Sequence, residues 1–154
     1  MQISPQKKHR NLLPDTNRRP ADVLIQSWTR GRDAALDVTV VSPLQKALTK
    51  QAADHAGFAL EAAKKRKLDA AFDQCGREGI TFIPLAVETL GGWEAEAITQ
   101  IRNIARGMGR RQSGDERVAI KHLFQRLAVI LQRGNASLFL NRSRSFAPMS
   151  LVGV

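Results

Sequence analysis

Asp22 and Asp37 each stand inside a short apolar run, at residues 21–25 and 34–41. A carboxylate there costs several kcal/mol to desolvate unless it is paired or bound to a cation. Two of them on neighbouring strands, in a chain of net charge +10, point to an oxygen-rich site facing a polyanion. The fitting ion is a hard cation such as Mg2+, with Mn2+ as an alternative. Such an ion polarises a phosphodiester and lowers the pKa of an attacking water. On a strand, residues two apart share a face. Asp37 and Thr39 therefore point one way, into a cleft, while Leu36, Val38 and Val40 suit a core. A lysine near the water would hold it and favour its ionised form. Lys64, Lys65 and Lys67 lie together on one helical stretch. Each residue also has an ordinary role. Asp22 can cap a turn after Pro20, Asp37 can pair with Arg19, Arg30 or Arg32, and the lysines can form a solvated helix face.

The elements that must position these groups follow from periodicity and punctuation. Residues 21–27 and 34–42 form two strands of an antiparallel hairpin around residues 29–33, with both strands central in the sheet. Pro43 opens a helix-rich stretch over residues 44–76, divided at Gly57 and ended by Gly76 and Gly79. Residues 80–87 form a third strand, where Pro84 implies an edge or a bulge. Thr89 to Gly92 turn the chain. Ile98, Ile101, Ile104, Ala105 and Met108 then recur at helical spacing. Ser113 and Glu116 make a capping box before a last helix with Leu123, Phe124, Leu127, Ile130 and Leu131 inward, stopped by Gly134-Asn135. The fold class is α/β: a small mixed sheet flanked by helices. Residues 1–19 read as an extended basic arm, 20–142 as the domain and 143–154 as a loose tail.

The composition narrows the partners. At 154 residues and 43% apolar content, the chain supports one domain with a real core. Its 24 basic against 14 acidic residues favour nucleic acid, an anionic membrane or RNA-rich assemblies as partners; of these DNA is the expected one, RNA the second choice, and no membrane is expected. No apolar run is long enough for a membrane span, and the N-terminus has no signal-peptide core. The single Cys75 excludes an internal disulfide and places the chain in a reducing compartment, nuclear or cytoplasmic. Arg19, Arg30, Arg32, Lys64 and Arg66 are the candidate phosphate contacts. Oligomeric state is not legible.

Several ordered motifs carry a resemblance. Arg19-Pro20-Ala21-Asp22, fourteen intervening residues, then Asp37-Val38-Thr39 and a helix with Ala62 and Lys67 are followed by Phe82 to Gly92 and His122 to Leu127. Over residues 18–142 this set resembles the restriction-like endonuclease domain that follows the reverse transcriptase in site-specific non-LTR retrotransposons, within the PD-(D/E)XK nuclease superfamily. The resemblance implies a restriction-endonuclease-like fold and a metal-dependent endonuclease of retroelement origin, which nicks DNA by phosphodiester hydrolysis. It implies Asp22 and Asp37 as the metal-binding acids. Lys67 takes the place of a lysine that has migrated to the helix from the position held by Thr39. Glu88 matches a recurrent acidic position without an assigned role. The chain departs from the pattern in having no tyrosine after the lysine and no acidic residue on a helix ahead of Asp22. No reverse transcriptase accompanies the domain in this sequence. A second reading is therefore a catalytically inactive nucleic-acid-binding remnant of a retrotransposon polyprotein, and a third is a small structural domain with salt-bridged aspartates.

Overall fold

The computed structural model of the chain describes residues 21–111 and 114–145. The basic arm, Arg19, Ser113 and residues 146–154 lie outside them. The first two strands, β1 (Val23–Thr29) and β2 (Arg32–Val41), form the expected hairpin. Its two-residue turn, Arg30-Gly31, has positive φ at both positions, 49° and 76°. That hand matches the twist of paired strands. Between Ile25 and Thr29, β1 uses three residues where β2 uses only Asp33. Ser27, at φ 52°, sits in this bulge, and its N–H donates to Asp33 Oδ1 at 2.9 Å.

After β2 the chain crosses to a parallel strand, which needs a long connection. Residues 43–48 are turns, so Pro43 does not open a helix. A short helix, α1 (Thr49–Asp54), precedes α2 (Phe58–Arg77), with Gly57 between them as expected. Helix α2 runs through Gly76 and ends in a Schellman arrangement. Ile80 N–H donates to Cys75 O at 2.9 Å and Gly79 N–H to Gly76 O at 3.1 Å. Gly79 adopts φ +68°, a conformation that costs a side-chain-bearing residue energy. Strand β3 (Thr81–Glu88) then pairs parallel to β2, giving a mixed sheet of order β1-β2-β3. Only β2 is central; β1, the strand that follows Asp22, is an edge. Strand β3 is the other edge, as Pro84 implied. Ala86 O and Glu88 N bond outward, to Glu94 N and Gly92 O. Pro84 shares their parity, so its missing N–H falls on the open side.

Helix α3 (Ala95–Arg111) and α2 cover opposite faces of the sheet. The α3 face buries Ile25, Ala34, Leu36, Ile83, Leu85 and Ala97, with Trp28 and Trp93 packed on them. The α2 face carries two clusters, Val41-Ala59-Leu60-Ala63-Ala86 and Ala21-Ala35-Cys75-Phe82. Alanines dominate at these contacts, so helix and sheet approach closely. Helix α4 (Glu116–Ser145) packs on α3. Asp115 starts it, accepting from Arg117 N–H at 2.7 Å. Gly134-Asn135 does not stop it. Asn135 Nδ2 instead donates to Thr89 O at 2.7 Å, fixing the helix to the turn after β3. Ile130 is 64% exposed rather than inward.

The α3–α4 crossing depends on a missing side chain. A Cβ at Gly109 would lie 3.2 Å from Ala119 Cβ and 3.3 Å from Glu116 Cα. Gly109→Leu should destabilise the fold by about 1–3 kcal/mol through overpacking, read as a lower denaturation midpoint at unchanged m-value.

Candidate functional site

Asp37 lies in the middle of the central strand and faces α2, between the two apolar clusters of that face. It is the one charged residue buried among the described residues, at 8% exposure. The alternation of β2 is as expected and Leu36 lies in the core, but the two valines do not. Val38 and Val40 are 42% and 52% exposed, because neither packs into the cluster beneath α3. At Asp37 and Thr39 it is the polar side of β2 that faces a helix, α2.

Helix α2 supplies the partner. Lys67 lies one turn after Ala63 and one before Ala71 on the inward stripe. Its ammonium reaches 2.8 Å from Asp37 Oδ2. Among the described residues it is Lys67, not Arg30 or Arg32, that pairs with Asp37. Asp37 Oδ2 thus has the Lys67 counter-charge beside it but makes no further hydrogen bond among the described residues. Thr39 Oγ1, also buried, is likewise without one. Buried acceptors are seldom left this way.

Asp22 extends the ladder of β1. Its N–H donates to Leu36 O at 2.9 Å, and its Oδ2 accepts from Val38 N–H at 2.8 Å. That N–H belongs to the peptide joining Asp37 to Val38. The hairpin therefore brings both carboxylates to one stretch of β2, with the Lys67 ammonium on the second of them. No group of three or more His, Cys, Asp or Glu side chains is placed to hold a metal among the described residues. Two carboxylates still suit Mg2+, which keeps several waters and binds through one or two acids plus substrate phosphate. The acceptors without donors on Asp37 and Thr39 fit such a hydrated cation.

The remaining candidates separate. Lys64 is engaged elsewhere. Its ammonium lies 2.6 Å from Glu96 Oε2 and 3.2 Å from Glu94 Oε1, tying α2 to the start of α3. Arg30, Arg32 and Arg66 are exposed. Glu88 fits closely in its turn, where a Cβ on Gly92 would come within 3.1 Å of Oε2. Cys75 is fully buried, and that burial pushes its thiol pKa up. Glu94 and Glu96 were not singled out from the sequence. The available signal was their place just ahead of an apolar helical stripe, where Glu94 Oε2 caps Ala97 N–H at 3.0 Å.

This cluster carries a pH dependence. Burial pushes the Glu94 carboxyl up, but the backbone N–H groups of Glu96 and Ala97 and the Lys64 ammonium outweigh it. The result lies below the ordinary 4.5. The Glu96 hydrogen bond, against desolvation, raises Lys64 above 10.5. A lowered carboxyl stabilises the fold above its unfolded pKa, and that contribution is lost as pH falls through the folded value. The raised lysine contributes fully below 10.5 and loses its contribution as pH rises through its folded value. Glu94→Gln should lower Tm at neutral pH, and the two Tm curves should converge on acidification below 4.5, as Glu94 takes up its proton.

No helix of the described residues is long and apolar enough to cross a membrane. Searches of protein-family models, curated proteins and solved structures find no match to this chain.

Proposed function

We propose that the chain is a metal-dependent DNA endonuclease module of retroelement kind, cutting one strand by hydrolysis of a phosphodiester. The observation that carries this reading is the Asp37–Lys67 contact of 2.8 Å on the central strand, beside the Asp22 carboxylate held on the next peptide N–H. Asp22 and Asp37 would hold Mg2+, or Mn2+ in its place. Bound there, the cation supplies Lewis acidity toward the phosphate and lowers the pKa of the attacking water. Lys67 has three donor hydrogens. It would hold that water at the Asp37 edge, and its charge would favour loss of the water's proton to solvent. The Val38 N–H fixes the Asp22 carboxylate on the peptide that follows Asp37. Arg30 and Arg32 would take backbone phosphates, a contact that positions without specifying sequence.

A non-cutting nucleic-acid-binding remnant is the second reading. It is favoured by the Lys67 ammonium, which already neutralises Asp37 without a cation. Plasmid nicking in Mg2+ separates the two. The nuclease reading expects nicking by the natural chain and none by Asp37→Ala. Nicking that persists in the variant refutes the assigned role, and binding without nicking supports the remnant.

A further inference from the structure

A groove of about 1130 Å³ runs along the outer edge of β3, between α2 and α3. Asp22, Asp37 and Lys67 do not line it, but Pro84, the register partner of Asp37, does. The Lys64–Glu96 ion pair and the hairpin turn both line it. Arg30 and Arg32 project into it from the turn and Arg110 from α3. Neither Arg30 nor Arg32 has an ion-pair partner among the described residues, whereas Arg110 Nε lies 3.8 Å from Glu116. Two aromatic rings also line it. Trp28 is half-buried, and Phe72 is 58% exposed although it stands on the helix that covers the sheet.

Each feature restricts the occupant. An added peptide strand needs donors along the open edge of β3, and Pro84 removes one at the centre. A small anion would use the arginines but not the rings. A polynucleotide uses both, through phosphates on arginine and bases on aromatic faces. Bases in a duplex are covered by their neighbours and offer no face to a side chain, so the rings select unpaired bases.

We infer that this groove binds a single-stranded polynucleotide, its bases on Phe72 and Trp28 and its phosphates on Arg30 and Arg32. The inference rests on the reading of the chain as a nucleic-acid-cutting domain and adds the form of the strand beside the cutting site. Binding in the groove itself needs neither aspartate.

The test is fluorescence anisotropy of the full chain with short labelled oligothymidylate, oligouridylate and a duplex of the same length. The single strands should bind more tightly than the duplex, and the two of them distinguish DNA from RNA as the source. Phe72→Ala should weaken single-strand binding about 5- to 100-fold, the loss of one stacked base. Phe72→Leu keeps the apolar surface without the ring face and should lose a similar factor. Arg30→Gln with Arg32→Gln should reduce the slope of log K against log salt by about 1.4, two single-strand phosphate contacts. A duplex bound as tightly as either strand, or silent Phe72 variants, overturns the inference. Asp37→Asn separates the two claims. It should abolish nicking and leave Phe72-dependent binding intact. Nicking without Phe72-dependent binding overturns the groove alone, and Phe72-dependent binding by a chain that never nicks overturns the nuclease alone.

Discussion

Asp37→Val combined with Lys67→Met should fold at least as stably as the natural chain, within about 1 kcal/mol or above it, while nicking falls to background. Replacing both members of a buried ion pair with apolar groups of similar volume is often neutral or stabilising. Here the pair is flanked by apolar clusters that the new side chains would join. Lys67→Met alone should behave differently. It leaves Asp37 Oδ2 buried with neither counter-charge nor donor, at a cost of about 1–3 kcal/mol. That is below the figure for a fully buried pair, because a third of the Lys67 side chain is exposed. Chemical denaturation gives the stabilities and plasmid nicking the activity. A double variant that loses several kcal/mol would make the pair structural, and one that still nicks would make it dispensable.

Asp22→Asn should carry the second large effect. The amide oxygen can still accept from Val38 N–H, so the ladder extension survives and stability should change by about 1 kcal/mol or less. The negative charge is gone. Nicking should fall at least 100-fold, an order-of-magnitude loss beyond that seen when only an outer-shell partner of a metal is removed. Nicking kinetics over a range of Mg2+ concentrations checks this. Partial rescue at high Mg2+ marks a weakened ligand, whereas full activity at ordinary Mg2+ would remove Asp22 from the site.

The parts of this architecture that were legible in the sequence are those set by local chemistry. Arg30-Gly31 between two β-rich runs gives the hairpin, Pro84 gives the edge strand, and Gly57 and Gly79 bracket α2. The mid-strand Asp37 was legible as costly, but its ion pair with Lys67 was not: the residues suggested arginines as its partners and a lysine only as a holder of water. The illegible parts are set by packing between distant segments. Alternation separates Asp37 and Thr39 from Val38 and Val40, yet it cannot tell which set a helix will cover. The covering helix took the polar set and left the valines half exposed. Gly134-Asn135 reads as a stop, but Asn135 bonds to Thr89 O from inside α4, and a glycine inside a helix costs only roughly 1 kcal/mol. Lys64 looked equivalent to Lys67. Only the topology, which brings the start of α3 past β3, shows that Glu94 and Glu96 engage it.

The account turns on whether the paired acids take up a divalent ion. Calorimetric titration of Mg2+ and of Mn2+ into the folded chain, with oligonucleotide present and absent, measures this directly. The account predicts saturable uptake by the natural chain that Asp37→Asn and Asp22→Asn each weaken or abolish. No uptake under any of these conditions, or uptake indifferent to both substitutions, would contradict it.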